Sequence, residues 1–163
     1  MSQARAFLSV LRLVVITVSL AVFGFAASSQ AKAPVAAVNT SDGLGLQGYD
    51  PVAYFTAGKP TPGVAQYTYR WQGVTYRFAS AEHRDRFQAA PERYLPQYGG
   101  YCAYAMFLNL IADIHPTRWA IVEGKLYLNN NWLSHQLWSA RKTDNITTAD
   151  QHWAILPKTE ATP

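Results

Sequence analysis

The only cysteine of the 163-residue chain, Cys102, is its best candidate for metal or redox chemistry. A thiolate is a soft ligand that favours Cu(I) and also binds zinc. The other candidate ligands are four histidines and one internal methionine, namely His83, His115, His135, His152 and Met106. No pair of them has a recognised ligand spacing such as C-x₂-C or H-x₃-H. Because an unpaired cysteine is also among the most buried residue types, Cys102 is interpreted first as a packing residue, with copper or zinc binding as the alternative.

Catalysis by Cys102 would need a base and a cradle for an anion. Gly99 and Gly100 precede the cysteine, and their backbone amides could hold an oxyanion beside a Cys–His pair. No third side chain that would orient the histidine can be identified. The glycines are explained more simply by a tight turn between a helix and the core. The sequence therefore favours a non-catalytic protein over a hydrolase.

Tyrosines near Cys102 combine apolar rings with hydroxyl groups that can orient a ligand. Tyr54, Tyr101 and Tyr104 are the predicted ligand-binding residues, with Tyr98 and Trp71 as neighbours in the same set. The competing interpretation is that these rings fill the core, because a domain with one cysteine has no internal disulfide and must be stabilised by packing. The core interpretation is the stronger of the two.

Two β-hairpins are expected to form the framework around these residues. Polar and aromatic residues alternate on both sides of Gln72-Gly73, and a second pair of short runs flanks Glu123-Gly124. Tyr67, Tyr69 and Trp71 share one face of the first hairpin. Hairpins interspersed with short helices indicate the α+β fold class in a single small domain.

Several short helices are expected between and after the hairpins. They are predicted at residues 52–56, 81–89, 91–94, 132 to about 141, and 148–153. Asp50, Ser80 and Asn131 are suitable N-caps for the first, second and fourth of them. On the fourth helix, Leu133, Leu137 and Trp138 form one apolar stripe.

The first 31 residues have the features of a secretory signal peptide. Two arginines precede an apolar run of fifteen residues from Leu13 to Ala27. A membrane-spanning helix needs roughly 20 apolar residues, so the run is short for a stable span. Small residues that follow it fit cleavage after Ala31. An uncleaved N-terminal membrane anchor is the alternative.

The expected organisation is a signal peptide at 1–31, a flexible lead-in at 32–43, one domain at 44–157 and a tail at 158–163. After cleavage, twelve Lys and Arg stand against ten Asp and Glu, which is a net charge of +2. No basic cluster is longer than Arg141-Lys142. This charge pattern excludes nucleic acid as a partner.

Four motifs in order resemble the exported bacterial branch of the YHS-domain family. They are residues 48–55 (GYDPVAYF), 80–87 (SAEHRDRF), 91–105 (PERYLPQYGGYCAYA) and 123–129 (EGKLYLN). The resemblance extends from about Leu44 to Trp153. It implies a small α+β domain in a bacterial periplasm, in a family loosely associated with metals and without an established reaction. His83 lies inside one of the motifs, so it is the predicted companion of Cys102 in a metal site.

The segment from Met106 to Ile111 departs from the family pattern. The exported branch usually continues after Tyr104-Ala105 with a polar loop that bears glycine and lysine, whereas this chain reads MFLNLIA over residues 106–112. Such a segment either adds to the core or forms an exposed apolar patch that contacts a partner or a membrane.

Two hypotheses of different classes therefore remain. In the first, the chain is an exported, non-catalytic YHS-like binding module that holds a soft metal ion, copper or zinc, through Cys102. In the second, it is an interaction domain without a metal, in which Met106 to Ile111 contacts another periplasmic protein or the membrane surface. Apart from the signal segment, membrane contact is expected to be weak and apolar.

Overall fold

The structure, a computed structural model, describes residues 32–159. The predicted signal peptide at 1–31 lies outside the described residues, as do residues 160–163. The strands of the described part are β1 Val35–Ala36, β2 Thr40–Ser41, β3 Leu44–Gly45, β4 Val64–Trp71, β5 Val74–Phe78, β6 Trp119–Val122, β7 Lys125–Leu128 and β8 Lys158–Thr159. Its α-helices are α1 Ala53–Thr56, α2 Ala81–Ala89, α3 Ala103–Phe107, α4 Trp132–Ala140 and α5 Lys142–Ile155.

The strands form three small sheets. The largest has the order β2-β3-β5-β4, the second is the hairpin β6-β7, and the third is the parallel pair β1-β8. Helices lie between and after these sheets and do not alternate regularly with parallel strands. The predicted α+β fold class with two hairpins is confirmed.

Both hairpins turn at the predicted residues. In the first, Gln72 and Gly73 have φ values of 45° and 77°, and in the second, Glu123 and Gly124 have φ values of 51° and 74°. Two consecutive positive φ angles are the signature of a type I′ turn, whose twist matches that of the flanking strands. On β4, Tyr67, Tyr69 and Trp71 are the partly buried positions and their neighbours are exposed, as the alternation predicts.

The helices α2 and α4 begin at the predicted caps. The Ser80 side chain accepts a hydrogen bond from the His83 amide, and Asn131 forms a reciprocal capping box with Ser134. The apolar stripe predicted on α4 is buried only in part. Trp138 is fully buried, but Leu133 and Leu137 are 57% and 44% exposed, because Ser134 is the residue one turn before Trp138 on the buried face.

Two helices differ from the sequence prediction in extent. The last helix, α5, begins at Lys142 and is much longer than the predicted 148–153 segment. Helix α3, immediately after Cys102, is not among the predicted helices. The amide of Ala105 in its first turn is capped by the cysteine side chain, and cysteine is not a residue type that marks an N-cap in sequences.

The two ends of the described chain are paired with each other. The amides of Val35 and Ala37 donate to the carbonyl oxygens of Pro157 and Thr159 at 3.0 Å and 2.9 Å. Part of the predicted lead-in at 32–43 thus has backbone hydrogen-bond partners from the other end of the described chain, and the composition of either end does not reveal this pairing. Gly99 adopts a φ of 59°, and a Cβ there would meet the carbonyl oxygen of Ala37, so glycine is required at this crossing.

Three hydrophobic clusters form the core of the described residues. Their most buried large side chains include Tyr54, Tyr76, Phe87, Met106 and Trp138. Residues 32–159 belong to one compact unit, so a chain that begins at Lys32 retains these clusters and can be studied by itself. Among residues 32–159, no helix combines the length and the apolar character needed to cross a bilayer.

Candidate functional site

Cys102 lies at the start of α3 and is 1% exposed. Its Sγ accepts hydrogen bonds from the amides of Ala105 at 3.5 Å and Asn130 at 3.3 Å. The thiol donates toward Oδ1 of Asn129 at 3.8 Å. The sulfur therefore acts as an N-cap for α3 and joins the start of this helix to the end of β7. This is the packing role that the sequence favoured for Cys102, with added hydrogen bonds.

The predicted companion, His83, belongs to a different part of the fold. Its Nδ1 lies 2.6 Å from Oδ2 of Asp50, and its Nε2 lies 3.3 Å from Oγ1 of Thr56. The Thr56 hydroxyl itself donates to the Val52 carbonyl at 3.0 Å, so its lone pairs face the imidazole ring. Both ring nitrogens of His83 are thus engaged within the chain.

A soft-metal site built on Cys102 and His83 does not fit this arrangement. Residues 32–159 contain no group of three or more His, Cys, Asp and Glu side chains placed to hold a metal ion. The polar neighbours of the Cys102 sulfur are backbone amides and the amide side chain of Asn129, and a copper or zinc ion takes thiolate, imidazole or carboxylate ligands. No chemistry is assigned to a metal at these residues.

Asp50 organises the junction around His83. The carboxylate is fully buried, and Oδ1 accepts from the amides of Val52 at 2.8 Å and Ala53 at 3.2 Å. Oδ2 accepts from the Ala79 amide at 2.9 Å and contacts His83. One carboxylate thereby joins the start of α1, the end of β5 and α2. The predicted capping role of Asp50 is confirmed, and the additional contact with His83 required the tertiary structure.

The three predicted ligand-binding tyrosines do not line one pocket. Tyr54 is 1% exposed and donates its hydroxyl to the Pro116 carbonyl at 3.0 Å. Burial raises the pKa of Tyr54 and, with a smaller contribution from Asp113, also raises the pKa of Tyr101. Tyr104 is partly exposed and packs against two core clusters. The fold uses Tyr54 and Tyr101 mainly as core, and Tyr104 alone of the three lines the groove described next.

An open groove of about 240 Å³ runs along the Met106–Ile111 segment and the start of α4. Its lining residues are Cys102, Tyr104, Ala105, Leu108, Leu110, Ile111, Ala112, Asn130, Asn131 and Ser134. The Met106–Ile111 segment combines the two alternatives expected from the sequence, burial in the core and exposure as an apolar patch. Met106 is 1% exposed and adds to the core, whereas Leu108 and Leu110 are 48% and 57% exposed at the groove.

Exposed apolar side chains lie in this groove and on α4, whose first turn forms part of the groove wall. Of the seven large hydrophobic residues that are exposed within residues 32–159, five lie on two adjoining segments. We name these five the docking surface: Leu108, Leu110, Trp132, Leu133 and Leu137. Trp132 and Leu133 directly follow Asn131 of the groove wall, and Leu137 lies one turn further along α4. Single exposed hydrophobic residues are ordinary on protein surfaces, whereas large contiguous apolar patches are typical of interaction sites.

The two segments that contribute to the docking surface contain no carboxylate, and Asp113, which follows the groove residue Ala112, accepts with its backbone oxygen from Asn130 of the groove wall. None of the ten Asp and Glu residues lies in 93–112 or in 124–143, the two segments that contribute to the surface. Lys32 lies against the first segment, where its Nζ donates to the backbone oxygen of Asn109 at 2.7 Å and to Oδ1 of the same residue at 3.0 Å. Asn109 lies between Leu108 and Leu110. Within the described chain, Lys32, Arg118 and Lys142 form no salt bridge with a carboxylate.

His135 on α4 provides a second histidine junction beside the groove. Its Nδ1 lies 3.4 Å from Nδ2 of Asn129, a side chain that is fully buried. An amide nitrogen can only donate, so this contact needs an unprotonated Nδ1. Burial lowers the pKa of His135 below its ordinary value of 6.5, and the charges of Arg118 and Lys142 lower it further. The contact and the pKa direction both favour the neutral ring.

The site residues predicted from the sequence did not include Asn129, Lys32 or the outward side of α4. The sequence prediction placed Leu133, Leu137 and Trp138 on one apolar stripe. Adjacent positions such as Leu137 and Trp138 point about 100° apart on a helix, so a narrow buried stripe cannot contain all three residues. Ser134 could have signalled that the buried face includes a small polar capping residue.

Comparison with known proteins provides no relative for this chain. No family model, no curated protein and no solved structure matches it. The functional assignment therefore depends on the geometry of the groove, the docking surface and the two histidine junctions.

Proposed function

We propose that the chain is an exported, non-catalytic docking module that attaches to its partner through the docking surface. The observation that carries this proposal is the concentration of five exposed large hydrophobic residues on the Leu108–Leu110 segment and α4. Exposure of this apolar area to water is unfavourable by about 25 cal/mol per Å², so its burial against a partner favours association. This is the interaction-domain hypothesis, extended from the Met106–Ile111 segment to include α4.

The rigidity of the scaffold supports a docking role. Helix α4 is held by the Asn131–Ser134 capping box and by Trp138, which is fully buried. The Leu108–Leu110 segment is held by the amide of Leu110, which donates to the Ala105 carbonyl at 2.8 Å, and by the amide of Asn109, which donates to the Met106 carbonyl at 2.9 Å. A pre-organised surface loses little conformational entropy when it binds.

The alternative, a soft-metal module, is supported less well. Cys102 caps α3 with its sulfur and, within residues 32–159, belongs to no group of three or more potential ligands, and His83 is joined to Asp50. We expect the purified chain from Lys32 to retain no stoichiometric copper or zinc, and we expect Cys102→Ala not to change its metal content. Stoichiometric metal in the wild type alone, measured by elemental analysis, would restore the metal hypothesis.

The docking surface is tested with an apolar probe and with detergent. The chain from Lys32 is titrated with dodecyl maltoside while amide resonances are followed by NMR, and bis-ANS fluorescence is measured in parallel. We expect the shifted amides to include those of Leu108, Leu110, Trp132 and Leu133. The double variant Leu108→Asn/Leu110→Asn is expected to bind less bis-ANS.

Val64→Asn provides the matched control for this experiment. Val64 is also an exposed apolar residue, at 44%, but it belongs to β4 of the four-stranded sheet. Its replacement is expected to leave both readouts unchanged. The proposal would be contradicted if detergent changed the amide chemical shifts of β4, or if Val64→Asn and Leu108→Asn/Leu110→Asn lost bis-ANS binding equally.

A further inference from the structure

We propose that the partner of the docking surface is the surface of an anionic lipid bilayer. This inference rests on the proposed docking function and names its partner. Three features of the described residues support it: the position of Lys32 beside the surface, the lack of carboxylates in the two segments of the surface, and the residue types that the surface exposes.

The first feature is the position of Lys32. Its Nζ donates twice to Asn109, in the middle of the Leu108–Leu110 segment. A cation is therefore held beside the backbone between two exposed leucines.

The second feature is the charge. Neither segment of the docking surface carries a carboxylate over 93–112 or 124–143, whereas Lys32 contacts Asn109 directly. Arg118 and Lys142 lie close enough to His135 on α4 to act on its titration. Exposed leucines with a lysine held between them match a layer of anionic headgroups above acyl chains.

The third feature is the composition of the surface. Trp132 is 60% exposed at the first turn of α4, and leucines provide the rest of the apolar area. A tryptophan ring is amphipathic and prefers the interface between headgroups and acyl chains, with leucine inserted beside it. A second copy of the chain is a poorer partner, because a two-fold contact places the cations of one copy opposite those of the other.

Vesicle binding of the chain from Lys32 tests this inference. Sedimentation is measured with vesicles of phosphatidylethanolamine and phosphatidylglycerol, and with phosphatidylcholine vesicles for comparison. We expect binding to the anionic vesicles that weakens with salt. Leu108→Asn/Leu110→Asn is expected to reduce the partition constant at least about tenfold, because two leucine side chains no longer leave water. Lys142→Gln is expected to reduce it about fivefold at low ionic strength.

Two controls make the result specific. Val64→Asn is expected to bind like the wild type, and thermal melts of every variant confirm that the fold is retained. Fluorescence quenching by lipids with brominated acyl chains measures insertion, and we expect Trp132→Phe to remove most of the quenching that occurs on binding.

Failure of the lipid assignment differs from failure of the docking function. If detergent changes the amide chemical shifts of the docking surface but the chain does not bind vesicles, the membrane assignment is wrong and the docking function is retained. Self-association that is seen by analytical ultracentrifugation and lost in the double variant, without vesicle binding, would replace the bilayer with a second copy. Binding of a peptide of residues 1–31 under the same conditions, again without vesicle binding, would make that segment the occupant. Equal vesicle binding by the wild type and the double variant would also overturn the inference.

Discussion

The two hairpin-and-helix units of this protein are built alike and differ on their outer surfaces. In each, a type I′ hairpin precedes a nine-residue helix that has a polar N-cap and one fully buried aromatic anchor, Phe87 on α2 and Trp138 on α4. The outer side of α2 is covered by charged side chains, including the Glu82–Arg86 pair. The outer side of α4 exposes Trp132, Leu133 and Leu137.

The histidine of each helix shows the same contrast on the inner side. His83 of α2 contacts the buried carboxylate of Asp50, whereas His135 of α4 contacts the buried amide of Asn129. The unit that contains α2 therefore has a carboxylate on the inner side of its helix and an ion pair on the outer side. The unit that contains α4 has a buried amide on the inner side and exposed apolar side chains on the outer side. Two units of similar local construction therefore differ in their outer surfaces: the outer side of α2 is charged and faces water, and the outer side of α4 belongs to the docking surface.

The largest effect is expected when an anchor of either unit is removed. Phe87→Ala and Trp138→Ala should each lower the free energy of unfolding by about 3–5 kcal/mol, because each leaves a cavity in a fully buried cluster. The indole nitrogen of Trp138 has no hydrogen-bond partner in the described chain, so Trp138→Phe should cost much less. Urea unfolding measures all three variants. If only one of the two alanine variants lost little free energy of unfolding, the two aromatic anchors would not be equivalent.

The next effect concerns the buried polar groups behind the helices. Asp50→Ala should lower the free energy of unfolding by about 3 kcal/mol, since it leaves two buried amides, the partly buried amide of Ala79 and His83 without their acceptor. Asp50→Asn keeps the shape and one acceptor oxygen, so we expect it to recover part of this loss. The same urea titration compares the variants. Equal stability of Asp50→Ala and the wild type would show that the Asp50 junction does not stabilise the fold.

A smaller, pH-dependent effect is expected at His135. The fold lowers the pKa of His135 below the 6.5 of an ordinary histidine, so the unfolded chain binds this proton more readily. The contribution is fully present above about pH 6.5 and is lost as the pH falls through the lowered pKa of the folded state. His135→Gln retains an acceptor for Asn129 and should show a weaker loss of stability between about pH 8 and about pH 5.

An NMR titration of the His135 ring measures the pKa directly. A midpoint at or above 6.5 would contradict both the neutral ring and the inferred direction of its contact with Asn129.

The smallest change in stability is expected on the outer sides of the two helices. Glu82→Gln removes an exposed i,i+4 pair, and Leu133→Gln replaces a residue that is 57% exposed, so each should change the free energy of unfolding by less than about 0.5 kcal/mol. Only Leu133→Gln should reduce binding of bis-ANS. Thermal unfolding and probe titration of both variants separate the roles of the two surfaces, and a parallel loss of probe binding in Glu82→Gln would show that the contrast is not specific.

The helices and hairpins that the sequence identified are those with strong local signals. Ser80 and Asn131 are good caps, and each hairpin turn ends in a glycine that adopts a positive φ. The elements that were missed lack such signals. The β1-β8 pair joins residues more than 120 positions apart, and α3 is capped by a cysteine sulfur. Part of the site was also visible, because the apolar segment from Met106 to Ile111 stands out, but its division into core and surface was not.

The sequence by itself determined the fold class, the positions of the two hairpins and the caps of α2 and α4, because these depend on interactions between residues a few positions apart. Only the tertiary structure decided which side of α4 is buried, that His83 meets Asp50 while Cys102 meets Asn129, and that Lys32 meets Asn109. These outcomes depend on which distant backbone and side-chain groups face each other after packing. A periodic pattern shows that a helix has an apolar side, but the neighbouring elements select the side that is covered.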